Sequence, residues 1–303
     1  MMGLKDVLPD VMTEFPEMGR ADIRDFKKGI DGAFKDFVRE YGELIEGFFY
    51  PLKIFLSWFE RLLVATPWPL MIIIFAVLVW LGARSWVIVV GTILASLLIG
   101  YLGMWEDMMK TLALISVSTF VCIAVGIPIG ILMSKSDRMQ SIIVPILDFM
   151  QTIPAFVYLI PVMMLLGIGK APGLIAVCIY AMPPVIRLTD LGIRLVDKDV
   201  LEAADAFGAS PSQKMFRVQL PLALPNLFAG VNQTIMMALA MVVVASLIGA
   251  QGLGSNVLKA VNNQYLTLGI MNGSAIVAIA IVFDRVSQKF GKRLQKHSET
   301  VHG

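Results

Sequence analysis

The side chains able to do chemistry in this chain are few, and none forms a nucleophile–base pair. Gln151, Thr152, Phe156 and Tyr158 sit in one long apolar run, and Asn232 and Gln233 in another, with Met236, Met237 and Met241 close behind. Amides, hydroxyls and ring faces inside apolar sequence suit the passage of a polar or cationic solute. The first two replace part of its hydration, and an aromatic face attracts an ammonium ion. The same groups serve equally well as hydrogen bonds between helices. Metal and proton-transfer chemistry finds little material. The two cysteines, Cys122 and Cys178, lie in apolar runs and read as small hydrophobes, and the two histidines, His297 and His302, fall in the polar C-terminal tail. Gly167-Ile168-Gly169-Lys170 imitates the end of a phosphate-binding loop, but Met164 stands where the first glycine belongs and Ala171 where Ser or Thr is needed. The chain is therefore expected to bind no ATP, no metal and no cofactor of its own.

A second constellation lies between two apolar runs, in DKDVLEAADAFGASPSQKMFRVQLPLALPN, residues 197–226. Val200, Leu201, Ala204 and Phe207 form one apolar face of a short helix. Gly208 follows, where a helix commonly ends in a left-handed residue. Ser210 caps a second helix, Pro211 suits its first position, and Gln213 completes a capping box. That second helix is expected to end near Leu220, before Pro221. Two short helices meeting at a glycine make a compact knob, which is docking chemistry and not bond-breaking chemistry.

The elements that carry these groups follow from composition. Hydrophobic residues make up 57% of the 303 and charged residues 16%, with a mean hydropathy of +0.77. A soluble domain averages about 45–50% apolar and about 25% charged, so lipid is the expected solvent. Backbone polar groups in lipid must be satisfied within the segment, which makes the fold class all-α: a polytopic helical membrane protein. Seven candidate spans are predicted, the first of them short: 68–83, 85–104, 108–133, 142–167, 172–193, 223–250 and 270–286. The pair flanking Arg84 also reads as a hairpin that does not fully cross. Pro128, Pro145, Pro154, Pro161, Pro183 and Pro184 interrupt several spans, as tolerated beside a cavity or under neighbouring helices. One set of loops and ends carries 13 Lys or Arg and the alternate set 3 (Lys110, Lys170 and Lys259). The basic set belongs in the cytoplasm, which places the knob and the C-terminus inside and the N-terminal tail outside.

The domains expected are a polar tail over residues 1–66, a permease body over 67–288 with the knob at 195–222, and a cytoplasmic tail over 289–303. Through Arg61 the tail carries 9 basic and 12 acidic residues, and the remainder 16 and 11. That balance offers nucleic acid no basic patch. Asp6, Pro9, Asp10 and Glu14 occupy the stretch where a signal peptide would have its apolar core, so insertion is expected to use the later spans. Between Phe26 and Arg61 apolar residues recur at helical spacing in two segments. The second, around Leu52–Leu63 with Trp58 and Lys53, suits a membrane interface or the surface of the body.

The knob carries a resemblance. Glu202-Ala203-Ala204, Gly208, and Leu220-Pro221 match the EAA loop of ABC-importer permeases. LDFMQTIPAFVYLIPVMMLLGIGKAPGLIAVCIYAMPPVIRLTDLGIR and NQTIMMALAMVVVASLIGAQGLG resemble the glycine betaine/proline betaine/choline osmoprotectant family, and the likeness runs over about residues 68–285. It implies a type I importer transmembrane domain in the bacterial inner membrane. It further implies that Glu202, Ala203, Ala204, Phe207, Gly208, Leu220 and Pro221 couple the chain to a cytoplasmic ATPase that binds ATP and Mg. The other implied partners are a second copy of the permease, making a homodimer, and a separate substrate-binding protein in the periplasm. Glycine betaine, proline betaine, choline, carnitine and trimethylamine N-oxide are all open as solutes, since the receptor does most of the selection. Two other readings stand beside this one: a permease of the same class for an amino acid, and an ion-coupled carrier. The carrier leaves the knob unexplained and finds few ionisable groups at mid-membrane.

Overall fold

The structure is a computed structural model that describes residues 17–301, with side chains described up to 291 and at 293. The expectations resting on Asp6, Pro9, Asp10, Glu14 and His302, and on the side chain of His297, lie outside the described residues. Among those described there is no β-strand. The helices, numbered in chain order, are α1 Arg20–Ala65, α2 Trp68–Ala83, α3 Trp86–Tyr101, α4 Trp105–Lys135, α5 Asp137–Thr152, α6 Ala155–Leu166, α7 Lys170–Ala181, α8 Pro183–Arg194 and α9 Lys198–Ala206. They continue with α10 Pro211–Ile248, α11 Leu253–Asn263 and α12 Leu266–Val301.

The chain divides into Met1–Phe48 and Phe49–Gly303. In the first unit the described residues are helical throughout from Arg20, and the rings of Phe34, Phe37 and Tyr41 line one face, tilted against each other with centroids 6.2 and 5.1 Å apart. The two amphipathic segments expected here are one 46-residue helix, α1, which continues through Pro51 into the second unit.

In the second unit, four helical stretches are long and apolar enough to cross a membrane: α4, α7 with α8, α10, and Leu266–Gly291 of α12. The 142–167 segment is not one straight helix. It bends by 100° between α5 and α6, because Pro154 offers no N–H and holds Ile153 in extended backbone, φ −65° and ψ 130°. Helices α2 and α3 are 16 residues each, about 24 Å against a hydrocarbon layer of about 30 Å. They form a tight hairpin. Arg84 takes left-handed backbone (φ 44°, ψ 45°), and Trp80 meets Trp86 at 4.4 Å between ring centroids. Helix α11 was not foreseen. Its Ser255, Asn256, Lys259, Asn262 and Asn263 read as loop, yet Asn256 Nδ2 donates to Asp107 Oδ2 at 2.6 Å and to Asn272 Oδ1 at 3.2 Å, fastening it to α4 and α12.

Helix α8 is the centre of the body. A Cβ on Gly126 would stand 2.5 Å from Val185 Cγ1, and one on Gly130 would stand 2.6 Å from Thr189 Cβ and 2.7 Å from the Ile186 carbonyl oxygen. The Gly126-Ile-Pro-Ile-Gly130 spacing thus lets α4 and α8 touch backbone to backbone, as small residues do where lipid removes the hydrophobic drive between helices. Gly192 and Gly230 bring α10 equally close on the other side, against Asn226 and Val185.

Candidate functional site

The knob is built by its caps. Asp197 accepts from Asp199 N at 2.9 Å and starts α9. The helix ends at Phe207, and Gly208 takes φ +74°. Gly208 N donates to Asp205 O at 2.9 Å and Ala209 N to Ala204 O at 3.0 Å, the bond pair of a glycine-terminated Schellman motif. Ser210 and Gln213 then exchange the two bonds of the capping box, at 2.8 and 3.3 Å. Lys214 Nζ closes the angle between the helices with bonds of 2.7 Å to both carboxylate oxygens of Asp205. Phe207 is left 92% exposed at the tip. Glu202 and Ala203 are exposed on α9, while Leu201 and Ala204 are half-buried.

The second helix does not stop before Pro221, as the sequence led one to expect. Residues Lys214–Gln219 widen into a π-helical turn, in which Leu220 N donates to Met215 O. Helix α10 then continues unbroken into the membrane. A proline has no N–H for the carbonyl four residues back, and its ring crowds that carbonyl. A locally wider turn removes the conflict. Leu220 packs on a small cluster of Ile193, Met215, Ala223 and Leu227, so the knob is seated on α8 and α10, with Pro221 exposed beside it.

Charged groups tie the root of the knob to its neighbours. Arg194 donates from Nε to Asp190 Oδ1 at 2.8 Å, from Nη1 to Asp137 Oδ1 at 2.7 Å and from Nη2 to Met133 O at 2.8 Å. Gln140 Nε2 holds the other oxygen of the buried Asp190 at 2.7 Å. One guanidinium thus clamps the ends of α4, α5 and α8. Arg187 and Asp148, the pair considered from sequence, do meet, at 2.6 Å.

The six intramembrane candidates are not one cluster. Gln151 and Thr152 end α5 at the break, and the Thr152 hydroxyl turns back to Asp148 O at 2.8 Å. Phe156 is 60% exposed. Tyr158, half-buried, approaches Met241 Sδ of α10 at 3.7 Å. Asn232 donates to Asp284 Oδ1 of α12 at 3.2 Å, its own carbonyl oxygen unpartnered, and Gln233 is exposed. At about 100° per residue, Asn232 and Met241 point from opposite faces of α10. Tyr158 and Asn232 therefore face different surroundings within this chain. Sequence reasoning missed the ion pair between Lys170 Nζ and Glu60 Oε1, 2.7 Å, which ties the start of α7 to α1.

A helical membrane body with a glycine-capped knob standing on two of its central helices defines the membrane-spanning subunit of a transporter. Residues 126–296 match the family described as binding-protein-dependent transport system inner membrane component, and the chain belongs to that family. It is 45% identical over 255 residues to the glycine betaine/proline betaine transport system permease protein ProW of Escherichia coli (strain K12), covering 84% of this chain and 72% of that protein. It is 44% identical over 279 residues to the glycine betaine transport system permease protein OpuAB of Bacillus subtilis (strain 168), covering 91% and 96%. Among solved structures, an inward-facing conformation of the MetNI methionine ABC transporter superposes with a TM-score of 0.56 at 22% identity, over 61% of this chain and 93% of that one. That likeness shows the shared fold, a helical importer transmembrane domain.

Proposed function

We propose that this chain is the permease subunit of an ATP-driven importer for glycine betaine or a closely related methylated-ammonium solute. The observation that carries the reading is the knob. It presents an exposed Phe207, an unpaired Glu202 among the described residues, and a left-handed Gly208, on a rigid seat shared by α8 and α10. The names of the relatives, at 44–45% identity over most of both chains, support the solute class. In this reading Glu202, Ala203, Ala204, Phe207 and Gly208 enter a groove on a cytoplasmic ATPase, and Leu220 and Pro221 anchor them. ATP and Mg are bound by that partner, and a periplasmic receptor delivers the solute. A second copy completes the pathway against the exposed Phe149, Phe156 and Ile160 of α5 and α6. Gln151, Thr152, Phe156, Tyr158, Asn232 and Gln233 are proposed as pathway residues, and residues 1–66 as an external tail. The test is reconstitution of the chain with its ATPase and receptor in liposomes. ATP-dependent uptake of labelled glycine betaine, competed by other methylated ammonium compounds and not by amino acids, is the expected result. Uptake without the ATPase would overturn the reading.

A further inference from the structure

Polar contacts climb the face that α5 and α8 share, and they are not alike. Nearest the cytoplasm, Arg194 engages all three of its nitrogens, with Asp190, Asp137 and the Met133 carbonyl. Asp190 engages both of its oxygens, with Arg194 and Gln140. These groups are saturated, as the charges of a structural tie must be when water is scarce. About two turns deeper, Arg187 Nη2 donates to Asp148 Oδ1 at 2.6 Å. Among the described residues that is the one polar contact either side chain makes. The Arg187 Nε–H is buried and has no acceptor there. No donor there reaches Asp148 Oδ2, because the Thr152 hydroxyl turns to the Asp148 backbone carbonyl instead. A buried donor without an acceptor is costly, more so on a charged group, and calls for a partner from outside the chain.

The surroundings are those of a passage. Arg187 stands about 10 Å inside the end of the Lys170–Arg194 span, and Asp148 lies just before the 100° break between α5 and α6. Yet their side chains are 37% and 55% exposed. At membrane depth, broken backbone and accessible charge are both kept inside protein or beside a water-filled cavity. Gln151 and Thr152 follow one turn after Asp148 on the same side of α5. An ion pair in such a place has a particular chemical match. Glycine betaine and its carboxylated analogues are zwitterions, with a carboxylate and a quaternary ammonium a few bonds apart. A guanidinium forks onto a carboxylate, and Arg187 has the free N–H groups to do so. A quaternary ammonium has no hydrogen to donate, so it is held by negative charge or by aromatic faces. Asp148 supplies the charge, and Phe149 beside it is 66% exposed. With no solute bound, the two side chains neutralise each other, so neither charge is left alone in a poorly hydrated place.

We infer, on the importer reading above, that Arg187 and Asp148 are a solute station on the cytoplasmic half of the pathway. Arg187 takes the carboxylate of a zwitterionic solute, Asp148 faces its ammonium, and the pair re-forms when the solute leaves. The probe is phenylglyoxal, which modifies arginine, applied to the permease–ATPase complex in lipid nanodiscs and read by peptide mass spectrometry. Arg194, with every nitrogen engaged, is the internal reference. Excess glycine betaine is expected to slow modification of Arg187 several-fold and to leave Arg194 unchanged. Choline, which lacks the carboxylate, and acetate, which lacks the ammonium, are expected to protect little. A second measurement separates solute binding from a mere tie between helices. Arg187→Gln leaves Asp148 unpaired and should lower the melting temperature. The double variant Arg187→Gln with Asp148→Asn replaces the ion pair by an amide contact and should regain it, while betaine uptake in liposomes stays several-fold below wild type. Uptake that returns together with the melting temperature would make the pair a structural tie and overturn the station. So would equal protection by acetate or choline, an Arg187 that the reagent never reaches, or no protection in a complex that imports betaine. A wild-type complex that imports no betaine would remove the importer reading itself, and this inference with it.

Discussion

Gly208 offers the sharpest test of the coupling reading. Its φ is +74°, and a Cβ built on it meets nothing within 4 Å. Replacement therefore causes no clash inside the chain, and the cost is confined to two sources. The first is left-handed backbone, about 1–2 kcal/mol for an ordinary L-residue, or a factor of about 5–30 in the population of the knob conformation. The second is bulk at the surface that docks. The two can be separated, because Asn tolerates left-handed backbone better than Ala while being larger. If backbone strain dominates, Gly208→Asn retains more function than Gly208→Ala. If the groove is tight, the order reverses. Gly208→Asp adds a charge that an interface desolvates without a partner, and should be the most damaging. The assay is receptor-stimulated ATP hydrolysis and uptake in liposomes, with co-purification of the ATPase and the amount of membrane-inserted chain as controls. Insertion should be unchanged, since the lesion lies outside the spans. Normal stimulated hydrolysis and uptake in Gly208→Asp would refute the coupling role.

Arg194→Ala leaves the buried Asp190 with Gln140 alone and should lower stability by about 2–3 kcal/mol, read as a lower melting temperature in detergent. A melting curve unchanged from wild type would show that the clamp is not structural. Gly130→Ala forces apart α4 and α8 at a contact where Thr189 Cβ lies 2.6 Å from the new carbon, with an expected loss of about 1–3 kcal/mol, whereas Gly47→Ala, where nothing stands within 4 Å, should be neutral or better. In the pathway reading, Ala at Gln151, Tyr158 or Asn232 lowers uptake without lowering membrane abundance, and full uptake in all three variants would remove these residues from the pathway. For topology, an external thiol reagent on intact cells should label Asp31→Cys and not Gln295→Cys, with little background from the buried Cys122 and Cys178. Labelling of both sites from outside would change the number of crossings between them.

Local grammar was the legible part of this chain. The caps at Ser210 and Gln213 and the positive φ of Gly208 depend on residues a few places apart, and all three appear as the sequence implied. The apolar runs likewise located the helices, since lipid leaves the backbone few alternatives. Features that depend on the meeting of distant segments were not legible. Gly126 and Gly130 carried a readable signal, the spacing of small residues, but nothing in it named α8 as the partner. Helix α11 has too few apolar residues to announce itself and is held by Asp107 and Asn272 from elsewhere in the chain. Pro221 misled because it was read as a stop, when a π-helical turn could absorb it. The six pathway candidates were chosen by polarity alone. Polarity does not encode direction: the nine-residue spacing of Asn232 and Met241 already set them on opposite faces of α10, but which helix each face meets emerges only once the helix has neighbours.

The unbroken run of α10 has a mechanical meaning. Its 38 residues span about 57 Å, from the capping box of the knob to Ile248, whose carbonyl accepts from Gly169 N at 2.8 Å near the far face. A bar of that length amplifies. A tilt of about 5° at the knob becomes a displacement of about 5 Å at the other end of a 57 Å helix. The π-helical turn at Lys214–Gln219 is a soft joint near its knob end, and Pro225 inside the helix is a second irregularity a few residues further on. Past those joints one helix runs from the base of the knob to Ile248, so a displacement at either end is passed to the other along a single member.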